Sequence, residues 1–383
     1  MIELHSDELI FTFPKLHACL REKARGWIDA RVAAATSEEK ARLPDSREKL
    51  HAEFEWCIPK VRAAISFLRT LRIPDDGKDY PLPPGLGRFP VRHVDDFSGV
   101  PEAWKGHGGV MMPMHKTEAL WLHFSSDYPM ALKIGAGGIC AISGERWSTT
   151  LYSRPQNYVV LPYQPWLDGF RVSEGVIRQF VAVPLGKGLT VEQQLTGEET
   201  WGGLQVQAFP MLADHNSTHE LELALKTKWQ ALIRPPDTGA GLGMLYSMEC
   251  ITRCCVGEAG LGAGGRMKQK ITRDPHGSEA WDLAENSRCY VHLCMADDWR
   301  NLTGTPPPHR PPTARDYTNA GLPWFDFDAC TPPVSGETLL AGVKSVNSLI
   351  GEKTGMELSA NDTITPSNMV QVRPRPTGVV REF

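Results

Sequence analysis

The densest group of potential metal ligands in this chain lies in GGVMMPMHKTEALWLHF, residues 108–124, where three methionines and a histidine fall within five positions. Thioether and imidazole groups suit Cu(I) and other soft ions. Pro113, however, biases the residue before it toward an extended backbone. In an extended chain Met112 and Met114 share one face, while His115 points to the other. We therefore predict a buried strand, with Met112, Met114 and His115 as weak candidates for metal ligands.

A second potential metal site is HNSTHE, where His215 and His219 are four residues apart. On a helix this spacing directs both imidazoles toward one ion. The sequence offers no third ligand nearby, and it lacks the glutamate of a His-Glu-x-x-His arrangement. We predict two surface histidines at the start of a helix and retain them as weak metal candidates. The sequence predicts neither a bound metal nor a cofactor.

Stronger candidates for a site are acidic residues that follow tryptophans at two-residue spacing. Asp168 follows Trp166 in PWLDGF, and Asp326 and Asp328 follow Trp324 in PWFDFD. In extended segments each tryptophan and its aspartate project from the same face, about 7 Å apart. An aromatic platform beside a carboxylate suits a sugar or another polar ligand, and paired carboxylates can do acid–base chemistry where burial raises one pKa. Alternatively, each tryptophan anchors a loop on the core and each aspartate caps a turn.

Arg178 is a polar residue inside the apolar run VIRQFVAV and needs a partner if it is buried. We predict that it could hold one of the carboxylates of the two tryptophan motifs. The candidates for ligand binding are therefore Trp166, Arg178 and Trp324, and those for catalysis are Asp168, Asp326 and Asp328.

The segment GLGAGG, residues 260–265, satisfies the G-x-G-x-x-G pattern of dinucleotide sites. That motif requires a strand before it and a helix after it, so that helix-end N–H groups meet the phosphates. Here RMKQKITRDP follows with a two-residue period and then a proline. We predict a flexible loop.

The elements that would position these residues change character along the chain. Leu50, Phe54, Val61 and Ile65 form a helical stripe that, with an earlier segment at 16–32, predicts an N-terminal helical hairpin. From about residue 107, short apolar or alternating runs separated by Gly, Pro, Asn and Ser indicate antiparallel strands. Near the end, GETLLAGVKSVNSLIGEKTG predicts a helix closed by a glycine C-cap.

These patterns predict a mainly β protein, an antiparallel β-sandwich or sandwiches with an N-terminal helical hairpin and a C-terminal helix. The 383 residues exceed the roughly 250–300 at which single cores stop growing. We divide the chain into an N-terminal helical region (1–80), a first β-rich block (81–235) and a second β-rich block with a proline-rich loop and the C-terminal helix (236–383).

Composition excludes several classes of partner. A formal net charge of −4 with scattered Lys and Arg gives no basic stripe for nucleic acid. No run reaches the ~18 apolar residues of a membrane span, and the first residues do not form a signal peptide. The nine cysteines are an odd number without paired CxxC spacings, which indicates reduced thiols. We therefore predict a cytoplasmic protein with no membrane span.

Four motifs carry a resemblance to a known family: GGVMMPM…EALWL, QPWLDGF…RQFVAVPLG…QLTG, GGRMKQKI and AGLPWFDF. Together they resemble a family of uncharacterised bacterial proteins, over roughly residues 80–350. The family has no assigned activity, so the resemblance implies no catalytic role. It implies a tyrosine where this chain has His115, which argues further against a metal site there. Some members carry a membrane label, which the composition of this chain does not support.

The sequence contains no complete catalytic signature, neither a phosphate-binding G-x-x-x-x-G-K-[ST] loop nor a G-x-S-x-G elbow. Eleven tryptophans, several beside loops, offer contact surface. We predict a non-catalytic binding or self-assembling module for a protein partner or small polar ligand. Assembly into a homo-oligomer is one of the forms that this prediction allows. The alternative is an enzyme with a pocket lined by carboxylates and tryptophans, using hydrolase-like acid–base chemistry with or without a metal.

Overall fold

The structure is a computed structural model that describes residues 1–200, 202–215, 217–233, 258–327 and 332–372, with the backbone alone for 217–220. Its strands are β1 (Ile2–His5), β2 (Glu8–Thr12), β3 (Arg62–Thr70), β4 (Asp79–Tyr80), β5 (Gly85–Arg88), β6 (Arg92–His93), β7 (Val110–Met114), β8 (Ala119–Ser126), β9 (Met130–Ala136), β10 (Ile139–Cys140), β11 (Val159–Leu161), β12 (Trp166–Leu167), β13 (Gly169–Ser173), β14 (Val176–Pro184), β15 (Leu204–Pro210), β16 (Glu258–Lys268), β17 (Ser287–Met295), β18 (Trp324–Phe327) and β19 (Met369–Val372).

The described α-helices range in length from 4 to 21 residues. They are α1 (Pro14–Ala34), α2 (Ser37–Lys40), α3 (Arg47–Phe54), α4 (Glu102–His107), α5 (Val191–Thr196), α6 (Ser217–Ile233), α7 (Ala296–Thr303), α8 (Ala314–Asn319) and α9 (Val346–Thr354). Across the described ranges, no helix has the length and apolar character needed to cross a membrane.

One large, mainly antiparallel open sheet organises the chain. Antiparallel neighbours run in the order β1-β2-β3-β8-β14-β16-β17-β15-β9. Short strands β4 and β7 join β16 and β17 in parallel. The predicted antiparallel β character is confirmed, but the predicted sandwich is not. Strands from both predicted β-rich blocks pair in this sheet, and the boundary placed between 235 and 236 lies outside the described residues.

The N-terminal helical hairpin is not confirmed, because the long first helix is followed by two short helices, α2 and α3, and then by the strand β3. The helix α3 ends at Phe54, and the predicted helix is wrong beyond Pro59, since residues 62–70 form β3. Proline removes a backbone donor and breaks a helix at this point. In β3 every second residue, Ala63, Ile65 and Phe67, is fully buried. Pairing of β3 with β2 on one side and β8 on the other, rather than the helical stripe, decided the structure.

A single large hydrophobic cluster includes side chains from Leu9 near the N-terminus to Val343 near the C-terminus. The strand β8 shows how the sheet divides its faces. Leu120, Leu122 and Phe124 enter this core, while Trp121, His123 and Ser125 alternate with them and are half-buried or exposed.

The glycine-rich segment predicted as a flexible loop is part of the buried strand β16. A Cβ atom at Gly262 would lie 2.4 Å from Cγ2 of Val346, and one at Gly264 would lie 2.6 Å from Cγ2 of Val181. The glycines therefore allow neighbouring elements to approach the strand closely. They do not form a phosphate loop at a helix start.

The predicted C-terminal helix is confirmed over Val346–Thr354, where Ser345 caps its first turn and Gly355 adopts a left-handed conformation at its end. The upstream residues Leu339–Gly342 form a separate 3₁₀ turn. The helix is therefore shorter than the apolar pattern predicts.

Candidate ligand-binding groove

A groove of about 390 Å³ lies beside the face of β8 that points away from the large core. Its walls are mostly aromatic and proline side chains, and its polar groups are few. The side chains that define its chemistry are Trp121, His123, Trp166, Asp168, Phe325 and Phe327. We call this the Trp166 groove.

Strand register explains why these side chains share one face. β12 pairs antiparallel with β8, placing Trp166 opposite His123 and Leu167 opposite Leu122. Both leucines are completely buried in the core. Because side chains alternate along a strand, Trp166 and His123 then face the groove. Asp168, two residues beyond Trp166, also lines it, as the two-residue spacing predicts.

Two buried glutamines fix the backbone that carries this pair. The side-chain oxygen of Gln269 accepts a hydrogen bond from the Asp168 amide at 3.0 Å, and its nitrogen donates to the Trp166 carbonyl at 3.2 Å. Gln164 donates to the same carbonyl at 2.8 Å. These contacts connect the Trp166–Asp168 segment to the residues that follow β16. The sequence analysis did not assign either glutamine to a site, although Gln269 lies two residues from each of the buried residues Met267 and Ile271, a spacing that could have indicated its burial.

Asp168 is the most unusual group of the groove. Its side chain is buried, and its Oδ2 atom has no hydrogen-bond partner among the described residues. The Trp166 side chain donates a hydrogen bond to the carboxyl group, but burial dominates and raises the pKa of Asp168 to about 7. No lysine or arginine of the described ranges forms an ion pair with it. Both protonation states are therefore populated at neutral pH.

His123 and Trp121 add further polar groups to the groove. Burial lowers the pKa of His123, although the charge of Glu8 acts in the opposite direction. The imidazole is therefore neutral near pH 7 and can donate or accept one hydrogen bond. The ring of Trp121 lies over Gly85, and its indole Nε1 is buried without a partner in the described part of the chain.

The strand β18 forms the opposite wall. The Phe325 amide donates to the Leu82 carbonyl at 3.0 Å, which fixes β18 beside the residues before β5. Phe327 contacts Trp166 edge-on, with ring centroids 4.5 Å apart. The segments PWLDGF and PWFDFD are therefore in contact. The contact is between aromatic rings rather than between carboxylates.

The predicted residues of the second motif do not enter the groove. Asp326 alternates with Phe325 and Phe327, is absent from the groove lining, and accepts a hydrogen bond from Gln371 at 2.9 Å. Trp324 is completely buried, and its indole donates to the Thr318 hydroxyl at 3.2 Å. Trp324 thus anchors its segment on the core, as the structural alternative predicts. Asp328 lies outside the described residues.

Arg178 takes a different partner from those predicted. Its guanidinium donates to Asp75 at 3.1 Å and to the Gly264 carbonyl at 3.0 Å. The expectation that it holds a carboxylate of the tryptophan motifs is therefore wrong for Asp168 and Asp326. Arg178 instead links β14 to the segment that follows β3.

The candidate ligands for a soft metal, Met112 and Met114 on one side and His115 on the other, are separated as the predicted strand requires. Met112 and Met114 lie in the large core on β7. His115 lies beyond the end of β7, and its Nε2 donates to the Pro308 carbonyl at 2.7 Å. No group of three or more His, Cys, Asp or Glu side chains within the described ranges could hold a metal ion.

The predicted histidine pair does not share a helical face. The helix α6 begins at Ser217, so His215 precedes it and is exposed. The side chain of His219 lies outside what the structure describes.

No protein-family model matches this chain, and neither does any curated protein or solved structure to which it was compared. No residue role is therefore carried over from a relative, and the Trp166 groove is interpreted from its own geometry.

Proposed function

We propose that this chain is a non-catalytic binding protein whose small ligand, polar at one end and apolar along its body, occupies the Trp166 groove. The observation that carries the proposal is the unpaired Oδ2 atom of Asp168. More than about 90% of buried polar groups in proteins have a hydrogen-bond partner. Leaving one without a partner costs about 1–3 kcal/mol. A ligand that donates a hydrogen bond to this oxygen would remove that cost.

The walls of the groove support a ligand with a flat or extended apolar part. Trp121, Trp166, Phe325 and Phe327 supply aromatic surface on both sides. A volume of about 390 Å³ falls within the roughly 300–1,000 Å³ typical of small-molecule sites. Apolar lining with a few convergent polar groups is the usual composition of such sites. His123 and the indole nitrogen of Trp121 are available to orient the polar end of the ligand.

One observation favours the alternative, an enzyme that uses acid–base chemistry. The pKa of Asp168 is raised to about 7, and a general acid or base works best when its pKa is near the operating pH. Among the described residues, however, no second carboxylate lines the groove beside Asp168, because Asp326 faces away. A binding role therefore accounts for more of the observed residues than catalysis does.

The test is a screen of ring-containing polar fragments, followed by tryptophan fluorescence and ligand-observed NMR. We expect hits whose affinity falls at least tenfold in Trp166→Leu, because this indole forms one wall of the groove. The matched control is Trp56→Leu, which removes a tryptophan that is 71% exposed and absent from the groove. It should leave the affinity unchanged.

Fragments that bind both variants equally would contradict the proposal, as would a complete absence of hits. Conversion of a bound fragment during the NMR measurement, lost in Asp168→Asn, would favour the enzymatic alternative.

A further inference from the structure

We infer that the ligand of the Trp166 groove carries an organic cation, an amine or quaternary ammonium group, on an apolar body. The inference rests on the proposed function and names the ligand class of the same site. Its basis is the distribution of charge and aromatic surface around Asp168.

The first step is that no positively charged side chain is found among the described residues that line the groove. Asp168 is the sole acidic residue among the described residues that line the groove, and no lysine or arginine lines it with them. The nearby polar side chains of Trp121 and His123 are neutral donors or acceptors at pH 7. A buried carboxylate is costly unless it is paired with a positive charge. An ammonium group provides that charge and a hydrogen-bond donor together.

The second step is the aromatic lining. The rings of Trp121, Trp166, Phe325 and Phe327 line the same groove as the Asp168 carboxyl group. Aromatic faces attract ammonium groups by a cation–π interaction, most strongly for tryptophan, and the attraction grows as water is excluded. An anionic ligand would meet repulsion from both the rings and Asp168. A neutral sugar would gain stacking, but it would leave the ionised carboxyl without a counter-charge.

The third step is a dependence of binding on protonation. A bound cation favours the ionised form of Asp168, whose pKa in the free protein is about 7. Ammonium binding should therefore release a proton near pH 7 and weaken at lower pH. His123 is the other titratable group that lines the groove, and burial lowers its pKa. Lys268 and Lys270, on either side of Gln269, are exposed and line the cavity next to the Trp166 groove.

The experiment compares two ligands of nearly equal shape, 2-phenylethylamine and 2-phenylethanol, by calorimetry at pH 8 and pH 5.5. We expect the amine to bind at least tenfold more tightly than the alcohol at pH 8. This advantage should fall more than tenfold at pH 5.5, where Asp168 is protonated. Asp168→Asn should remove the advantage at pH 8, and the control Asp326→Asn, which lies off the groove, should retain it.

The outcomes separate the two proposals. Equal binding of amine and alcohol, sensitive to Trp166→Leu but not to Asp168→Asn, would overturn the cationic ligand and leave the groove a binding site. If neither the amine nor the alcohol shows binding that depends on Trp166, both the cationic ligand and the groove as a binding site are overturned. If Asp168→Asn does not fold, the pH comparison on the unaltered protein still decides, because an amine affinity that is constant from pH 5.5 to 8 contradicts the inference.

Discussion

The burial of the Asp168 carboxyl group makes the stability of the folded chain depend on pH. The pKa of this carboxyl rises from 3.8 in a free chain to about 7 in the folded protein. Between these values the folded state keeps a proton that the unfolded state has released. The contribution of this retained proton to the free energy of unfolding is fully present below about pH 4 and is lost as pH rises through 7. Three pKa units correspond to about 4 kcal/mol.

We expect Asp168→Asn to raise the free energy of unfolding at pH 8 by about 2–4 kcal/mol, because the amide has nearly the same shape but no charge to bury. At pH 4.5 the difference should shrink to about 1 kcal/mol, because Asp168 is then protonated in the folded state but still mostly ionised in the unfolded chain. Urea unfolding at the two pH values measures the difference.

The control for that measurement is Asp326→Asn, whose carboxylate accepts a hydrogen bond from Gln371 outside the groove. It should not change the pH dependence of stability between pH 4.5 and 8. An Asp168→Asn variant with the same pH dependence as the unaltered protein would show that this carboxyl is ionised and solvated in the folded state.

At the scale of elements, two glycines illustrate opposite roles for the same residue type. Gly262 lies in β16, where an added Cβ would lie 2.4 Å from a Val346 methyl group and 2.8 Å from the Leu189 carbonyl oxygen. Gly26 lies on the exposed side of α1, where an added Cβ would meet nothing within 4 Å. The first is required by close contact between elements, and the second only weakens a helix.

We therefore expect Gly262→Ala to lower the free energy of unfolding by about 1–3 kcal/mol through overpacking. Gly26→Ala should raise it by about 0.5–1 kcal/mol, because alanine loses less conformational freedom in a helix. Chemical denaturation of both variants tests the signs. A tolerated Gly262→Ala would mean that β16 is not tightly enclosed by α9 and the residues before α5.

At the scale of the whole molecule, the strands before and after the predicted boundary at residue 235 share one sheet and one large core. The strand β14 pairs with β16 over most of its length, and β15 pairs with β17. A chain of 383 residues could hold several separately stable domains. In this chain, backbone hydrogen bonds connect strands that precede the predicted boundary to strands that follow it.

We expect a single cooperative unfolding transition. Far-ultraviolet circular dichroism and tryptophan fluorescence should give coincident urea curves, because neither β-rich block completes its sheet without the other. Two separated transitions, or one block that folds when expressed alone, would contradict this expectation and favour the predicted division at residue 235.

The sequence by itself determined what depends on neighbouring residues. Two-residue alternation predicted the strand that separates Met112 and Met114 from His115, and it placed Trp166 and Asp168 on one face. Gly355 ended the last helix because a left-handed conformation there suits glycine. These features follow from local backbone geometry, which is why they could be read without the fold.

Only the tertiary structure decided which segments meet. It assigned residues 62–70 to a strand, because pairing with β2 and β8 overrides a helical stripe. In the structure Arg178 forms an ion pair with Asp75, and Trp324 lies in the core. Phe327, rather than an aspartate of the second motif, contacts Trp166. Gln164 and Gln269 became supports of the groove through contacts about a hundred residues apart in the chain. Such contacts depend on sheet order and register over long separations, and no short pattern in the sequence encodes them.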